Sequence, residues 1–120
     1  MRVALCQTNC GEDVAANEAQ VFGLLEEAGA AGVDLAALPE VWPCQGSAPL
    51  VRASAQAIDG PRVQHLAEVA RRYGMWIHGG SVLERDGDRV FNTSVLLDRD
   101  GGVVATYRKI HLFDADPPGG

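Results

Sequence analysis

A chain of 120 residues, 47% apolar and 22% charged, holds one domain at most and has the makeup of an ordinary soluble globular protein. Its formal charge of −6 and pI of about 4.9 argue against a nucleic-acid partner, which would need clustered Lys and Arg. No apolar run is long enough to span a bilayer, so no membrane partner is expected.

Arg2 to Gln7 reads as a first strand. Met1 to Gln7 carries one cation and too short an apolar stretch for a signal peptide, so a cytoplasmic location is expected. Gly11-Glu12-Asp13 breaks the strand and offers Asp13 as a helix N-cap. Val14 to Ala31 has helical spacing, with Val14, Val21, Leu24, Leu25 and Ala28 on one face and Glu12, Glu18, Glu26 and Glu27 off it. Gly32 stands where a helix ends on glycine. Val33 to Leu38 is a second, mostly apolar strand, and a strand, helix, strand unit of this length makes a right-handed parallel crossover.

Pro39-Glu40 stops that strand, and Val41 to Pro49 reads as loop because Pro43, Gly46 and Pro49 break regular structure. Helical periodicity begins near Leu50 and is interrupted at Gly60-Pro61. Pro61 then opens a further helix with an apolar stripe of Val63, Leu66, Ala67, Ala70 and Tyr73, closed by Gly74. Met75 to Leu83 is a third strand whose two glycines, Gly79 and Gly80, mark a close backbone approach. Asp86-Gly87 is a hairpin signal, Val90 to Leu97 a fourth strand, Asp98 to Gly102 a turn and Val103 to Tyr107 a fifth strand. These connections are too short for crossovers, so strands three to five are expected to be antiparallel neighbours. The fold class is therefore α/β, a mixed sheet with helices packed against it.

Two cations, Arg108 and Lys109, follow the fifth strand, and Ile110, Leu112 and Phe113 follow them. Alternation along a strand sends the two side chains opposite ways, one outward and the other toward a carboxylate or a substrate oxygen. Glu40 and Lys109 each directly follow a strand, where open α/β sheets gather ligands and catalytic groups. An acid and an ammonium sharing such a pocket would attract by about 4 kcal/mol at 4 Å with an effective dielectric of 20, before desolvation. The three cysteines, Cys6, Cys10 and Cys44, form no disulfide framework, and Cys6 and Cys10 lack the second pair a metal site needs.

Taken together, Leu38-Pro39-Glu40, Gly79 to Glu84, Asn92-Thr93-Ser94 and Tyr107 to Asp114 resemble the nitrilase, or carbon–nitrogen hydrolase, superfamily along essentially the whole chain. His111-Leu112-Phe113-Asp114 and the following Ala115-Asp116 look most like its Nit branch, which contains ω-amidases; Phe91 stands where that branch commonly has tyrosine.

The resemblance implies an α-β-β-α sandwich, of which residues 1–120 would be the N-terminal part of one domain. It implies a Glu–Lys–Cys triad acting on a small-molecule carboxylic amide through a thioester, with Glu40 as general base and Lys109 stabilising the oxyanion. No metal and no organic cofactor is implied, and a homodimer or higher homo-oligomer is. The family cysteine follows the lysine after a further strand, and none of the three cysteines here has that position. Cys44 precedes Lys109, in the wrong order. The chain then reads as the N-terminal half of a hydrolase; the alternative is a truncated, non-catalytic binding or assembly module.

Overall fold

Five strands pair in the order in which the chain makes them, β1 (Val3–Leu5), β2 (Leu35–Ala37), β3 (Trp76–Asp86), β4 (Arg89–Leu97) and β5 (Val103–Arg108). The structure, a computed structural model, describes residues 1–109. The expectations for Ile110 to Asp114 and for the tail from Asp116 to Gly120 lie outside the described residues. The sheet is mixed: β1, β2 and β3 are parallel, while β3, β4 and β5 form an antiparallel meander. The parallel β1–β2 pair and the antiparallel meander are the expected ones; the parallel pairing of β2 with β3 joins them.

The first crossover helix, α1 (Val14–Ala30), begins where the sequence signals it, with the Asp13 carboxylate accepting from the Ala16 amide at 3.1 Å. It ends on Gly32, whose φ of +74° suits glycine. The Gly32 amide donates to the Gly29 carbonyl and the Val33 amide to the Ala28 carbonyl, so two end carbonyls are satisfied. The buried face is Val21, Leu25 and Ala28 as expected, plus Phe22 and Asn17; Leu24 is only half-buried. Asn17 is buried because it is fully used: its amide group donates to the Gly11 and Pro43 carbonyls and its oxygen accepts from the Gly11 amide.

The second helix starts earlier than the sequence reading placed it. α2 (Ala48–Ser54) takes in Ala48 and Pro49, which read as loop. Ser47 caps it by accepting from the Leu50 amide, and proline is tolerated in a first turn because its missing N–H has no partner there. α3 (Pro61–Tyr73) opens on Pro61 and closes on Gly74 as expected. Its buried stripe is Val63, Leu66, Val69 and Ala70, with Ala67 and Tyr73 only half-buried. β1 and β2 are shorter than their apolar runs, whereas β3 continues past Leu83 to Asp86 to complete a long hairpin with β4.

α1 and α3 pack over one face of the sheet, on Ala36, Ile77, Val95 and Leu97. Phe22, Leu25, Leu66, Val69 and Met75 fill the space between. A smaller cluster of Cys44, Val51, Ala55, Leu83 and Val90 ties α2 to the hairpin. On the other face, register aligns Val3, Leu35 and Trp76 in one row. A second row is Leu5, Ala37, His78, Leu96 and Ala105. Leu5 is 75% exposed and Tyr107, beside Ser94, 61% exposed, so this apolar face is uncovered in the described residues. β5 forms one edge of the sheet.

Candidate functional site

β1, β2, β3 and β5 run in the same direction, so their carboxyl ends lie along one margin of the sheet. Glu40 follows β2 and Lys109 follows β5, yet two strands stand between them. Three inter-strand steps of about 4.8 Å put roughly 14 Å between β2 and β5. That gap closes because the turn after β2 leans over β3 and because both side chains are long.

The turn is held on both sides of Glu40. The Leu38 amide donates to the His78 carbonyl at 2.9 Å, prolonging the parallel pairing. The Ser81 amide donates to the Pro39 carbonyl at 3.3 Å, and the Ser81 hydroxyl oxygen accepts from the Val41 amide at 2.8 Å. The Trp42 indole N–H donates to the Gly79 carbonyl at 2.9 Å, and Trp42 is fully buried. Between these anchors Val41 has φ +51°, in the left-handed region, where a β-branched residue is an outlier.

β3 makes room for the turn with a bulge. Its register against β4 slips by one residue between His78 and Ser81, where Gly80 has φ +63°. A Cβ at Gly80 would stand 2.0 Å from the Pro39 carbonyl oxygen and 2.6 Å from that of Leu38. The close approach expected at the strand glycines is therefore the approach of the Pro39-Glu40 turn itself. Gly80→Ala is expected to destabilise the fold by on the order of 3 kcal/mol, since backbone cannot yield and the conformation disfavours any side chain. The urea midpoint of the variant measures it, and an unchanged midpoint would refute the packing argument.

Lys109 is placed by β4, its amide donating to the Asn92 carbonyl at 2.9 Å. Its ammonium donates to Glu40 Oε1, joining residues 69 apart in the chain. Both groups reach solvent, with side-chain exposures of 36% for Lys109 and 67% for Glu40. An ion pair this open adds little stability by itself.

Arg108 leaves the strand on the other side, as alternation requires, but it does not point free into solvent. It donates through Nε and a terminal nitrogen to the two oxygens of Glu84, at 3.0 and 2.7 Å, and again to Asp86 at 2.9 Å. Both cations thus meet carboxylates, where the sequence suggested one outward-facing cation. The reason is that Glu84 is buried and needs partners, which Arg108 and the Thr93 hydroxyl supply. The guanidinium also lies 4.0 Å from the centre of the Phe91 ring.

The Arg108 hydrogen bonds hold the Glu84 carboxyl below the usual carboxylate range, and Glu84 and Asp86 in turn hold Arg108 above its own. Glu84 therefore stabilises the fold while it is ionised, and this contribution fades as pH falls through its lowered folded value. Glu84→Gln is expected to cost roughly 1–3 kcal/mol at pH 7 and much less in acid, once Glu84 is protonated in the folded protein as well. Urea titrations at pH 7 and in acid check this; a gap that grows toward acid would reverse the sign.

The three cysteines have other surroundings. Cys6, just past β1, is buried as expected, and burial pushes its thiol above the usual range. Cys10 is half-buried in the following loop, with its thiol 3.1 Å from the Thr8 hydroxyl. Cys44 is fully buried with its thiol toward the Glu12 carbonyl at 3.8 Å. Among the described residues no three His, Cys, Asp or Glu side chains gather as a metal set, and no helix is long and apolar enough to cross a membrane.

The structure brings together Glu40 and Lys109, both singled out from the sequence, and adds the Ser81 hydroxyl, which the sequence did not point to. A side-chain bond to a backbone amide 40 residues away leaves no periodic trace; the only local hint was the pair of glycines beside it.

The chain is similar to an omega-amidase of Arabidopsis thaliana, 38% identical over 98% of this chain and 33% of that protein. The human omega-amidase is 35% identical over 98% of this chain and 43% of that protein. Of solved structures, a carbon–nitrogen hydrolase superfamily protein from Xanthomonas campestris superposes with a TM-score of 0.78 at 32% identity, over 92% of this chain and 41% of that one. The NitFhit protein of Caenorhabditis elegans superposes with a TM-score of 0.76 at 28% identity, over 98% of this chain and 29% of that one. The chain thus spans between a third and under half of the length of these curated relatives. The carbon-nitrogen hydrolase family matches residues 2–120, and with the mixed sheet, its helices and these relatives agreeing, the chain belongs to that family.

Proposed function

We propose that this chain supplies two of the three groups that hydrolyse the carbon–nitrogen bond of a small carboxylic amide, a reading supported by its similarity to omega-amidases. Glu40 is the general base and Lys109 the fixed cation for the oxyanion. The nucleophilic cysteine comes from sequence after residue 120, within the same domain. The observation that carries the reading is the contact between the Lys109 ammonium and Glu40 Oε1, two groups brought from separate strand ends.

The chemistry follows from the groups. Glu40 takes the proton of the cysteine thiol, and the thiolate attacks the amide carbonyl carbon. The carbonyl oxygen becomes an oxyanion beside the Lys109 ammonium, which needs no reorganisation to stabilise it. When the tetrahedral species collapses, the C–N bond breaks. The departing nitrogen receives the proton that Glu40 carried, so ammonia leaves and a thioester remains. Glu40 then takes a proton from water as the hydroxide attacks the thioester carbon. The C–S bond breaks, sulfur regains the proton, and the carboxylic acid is released. The thioester divides one difficult displacement into two easier ones.

The exposure of Glu40 and Lys109 fits this division of parts. Electrostatic stabilisation of an oxyanion is strongest where water is excluded, so the remaining part of the domain would both deliver the thiol and cover the pair. Replacement of Glu40 or Lys109 in the full-length protein tests the reading, by loss of ammonia release from succinamate, a simple ω-amide.

A further inference from the structure

We infer that Ser81 is the positioning residue of Glu40, acting through the backbone on both sides of it; this rests on the reading of Glu40 as the base. The Ser81 amide donates to the Pro39 carbonyl, immediately before Glu40, and the Ser81 hydroxyl oxygen accepts the Val41 amide, immediately after it. One residue of β3 therefore grips both peptide groups that flank the carboxylate. Ser81 is 0% exposed, so its hydroxyl has no solvent to turn to, and these bonds are kept.

The grip has something to hold. Val41 sits at φ +51°, which a β-branched residue leaves unless its surroundings over-determine it. Neighbouring features close the other exits. A Cβ is impossible at Gly80, beneath Pro39, and Trp42 is pinned by its indole to Gly79. Of these contacts, only the Ser81 hydroxyl bond can be deleted by removing a single atom from a side chain. Relaxation of Val41 to negative φ would rotate the Val41 end of the turn and swing Glu40 away from Lys109. A base displaced by about 1 Å can lose on the order of 100-fold in rate while the substrate still binds.

The test uses the full-length protein with succinamate and compares four variants. Ser81→Ala should lower kcat roughly 10- to 100-fold with KM changed less than about threefold. Val41→Gly in the Ser81→Ala background should recover most of that loss, because glycine holds positive φ without the hydroxyl. Val41→Gly alone should be near wild type, and Glu40→Gln should be inactive. Wild-type kcat in Ser81→Ala beside an inactive Glu40→Gln overturns this inference and leaves the reading of Glu40 standing. A Ser81→Ala defect that Val41→Gly does not relieve also overturns it, since loss of packing alone would behave so. An active Glu40→Gln instead ends the reading of Glu40 itself. Hydrogen exchange on the wild-type protein decides even if Ser81→Ala does not fold. The Val41 amide should be protected although it follows an exposed residue, and exchange at the rate of a free loop amide overturns the proposal.

Discussion

Glu40→Gln and Lys109→Ala should each lower ammonia release from succinamate by at least about a thousandfold in the full-length protein, with the fold intact. General-base and oxyanion contributions are each worth orders of magnitude in rate. The structure adds a reason to expect little structural damage. Both side chains are partly or largely exposed, and their ion pair is of the open kind that contributes little to stability. Far-UV circular dichroism and the thermal midpoint should therefore stay close to wild type while turnover disappears. The two substitutions should also be far from additive, because both act on one reaction centre. Near-normal turnover by either variant would remove the role assigned to that residue, and a large drop in thermal midpoint would assign it to the fold instead.

The second large effect concerns residues 1–120 as an isolated polypeptide, which should neither hydrolyse amides nor remain a well-packed monomer. The first half follows from the proposed mechanism, which needs a thiolate beside Glu40 and Lys109. The second follows from the uncovered face. Val3, Leu5, Trp76, Leu96 and Tyr107 lie on the side of the sheet away from α1 and α3, and Val3, Leu5 and Tyr107 are strongly exposed. An apolar face of this kind favours association, and among the described residues β5 is an edge strand beside it. Light scattering should report self-association, and near-UV circular dichroism a weak aromatic signal. Replacing Leu5 and Tyr107 by lysine should reduce the association. A compact monomer with a strong near-UV spectrum would show that the 120 residues need no further layer, and would favour a self-contained binding module.

Much of the scaffold was legible because its signals are local. Asp13 and Gly32 bound α1 through hydrogen bonds made within a few residues, and Gly87 and the 98–102 turn fix the meander in the same way. The start of α2 was missed because Pro49 reads as a breaker, although Ser47 and the first-turn position make it harmless. Phe22 and Val69 escaped the expected stripes since a helix between a sheet and a second helix buries more than one row. The pairing of Arg108 with Glu84 could not be read from the sequence, as it depends on which side of β3 a carboxylate lands after the bulge. Glu40 and Lys109 were singled out by their places after two strands and by resemblance of motifs, whereas the lean of the Glu40 turn over β3 that lets them meet across two intervening strands is a property of the folded sheet.

Strand order equals chain order in this sheet, and that bears on how the protein is made. A polypeptide leaving the ribosome amino end first can lay each new strand beside the one before it, with no earlier strand having to wait for a later one to slip between. Each addition closes only the loop just synthesised, so the entropy of distant closure is never incurred. Among the described residues the last strand laid down is β5, and Lys109 follows it directly. The Glu40 turn, by contrast, acquires its anchors on Gly79 and Ser81 as soon as β3 emerges. Assembly during translation would therefore set the acid in place well before the cation arrives to meet it.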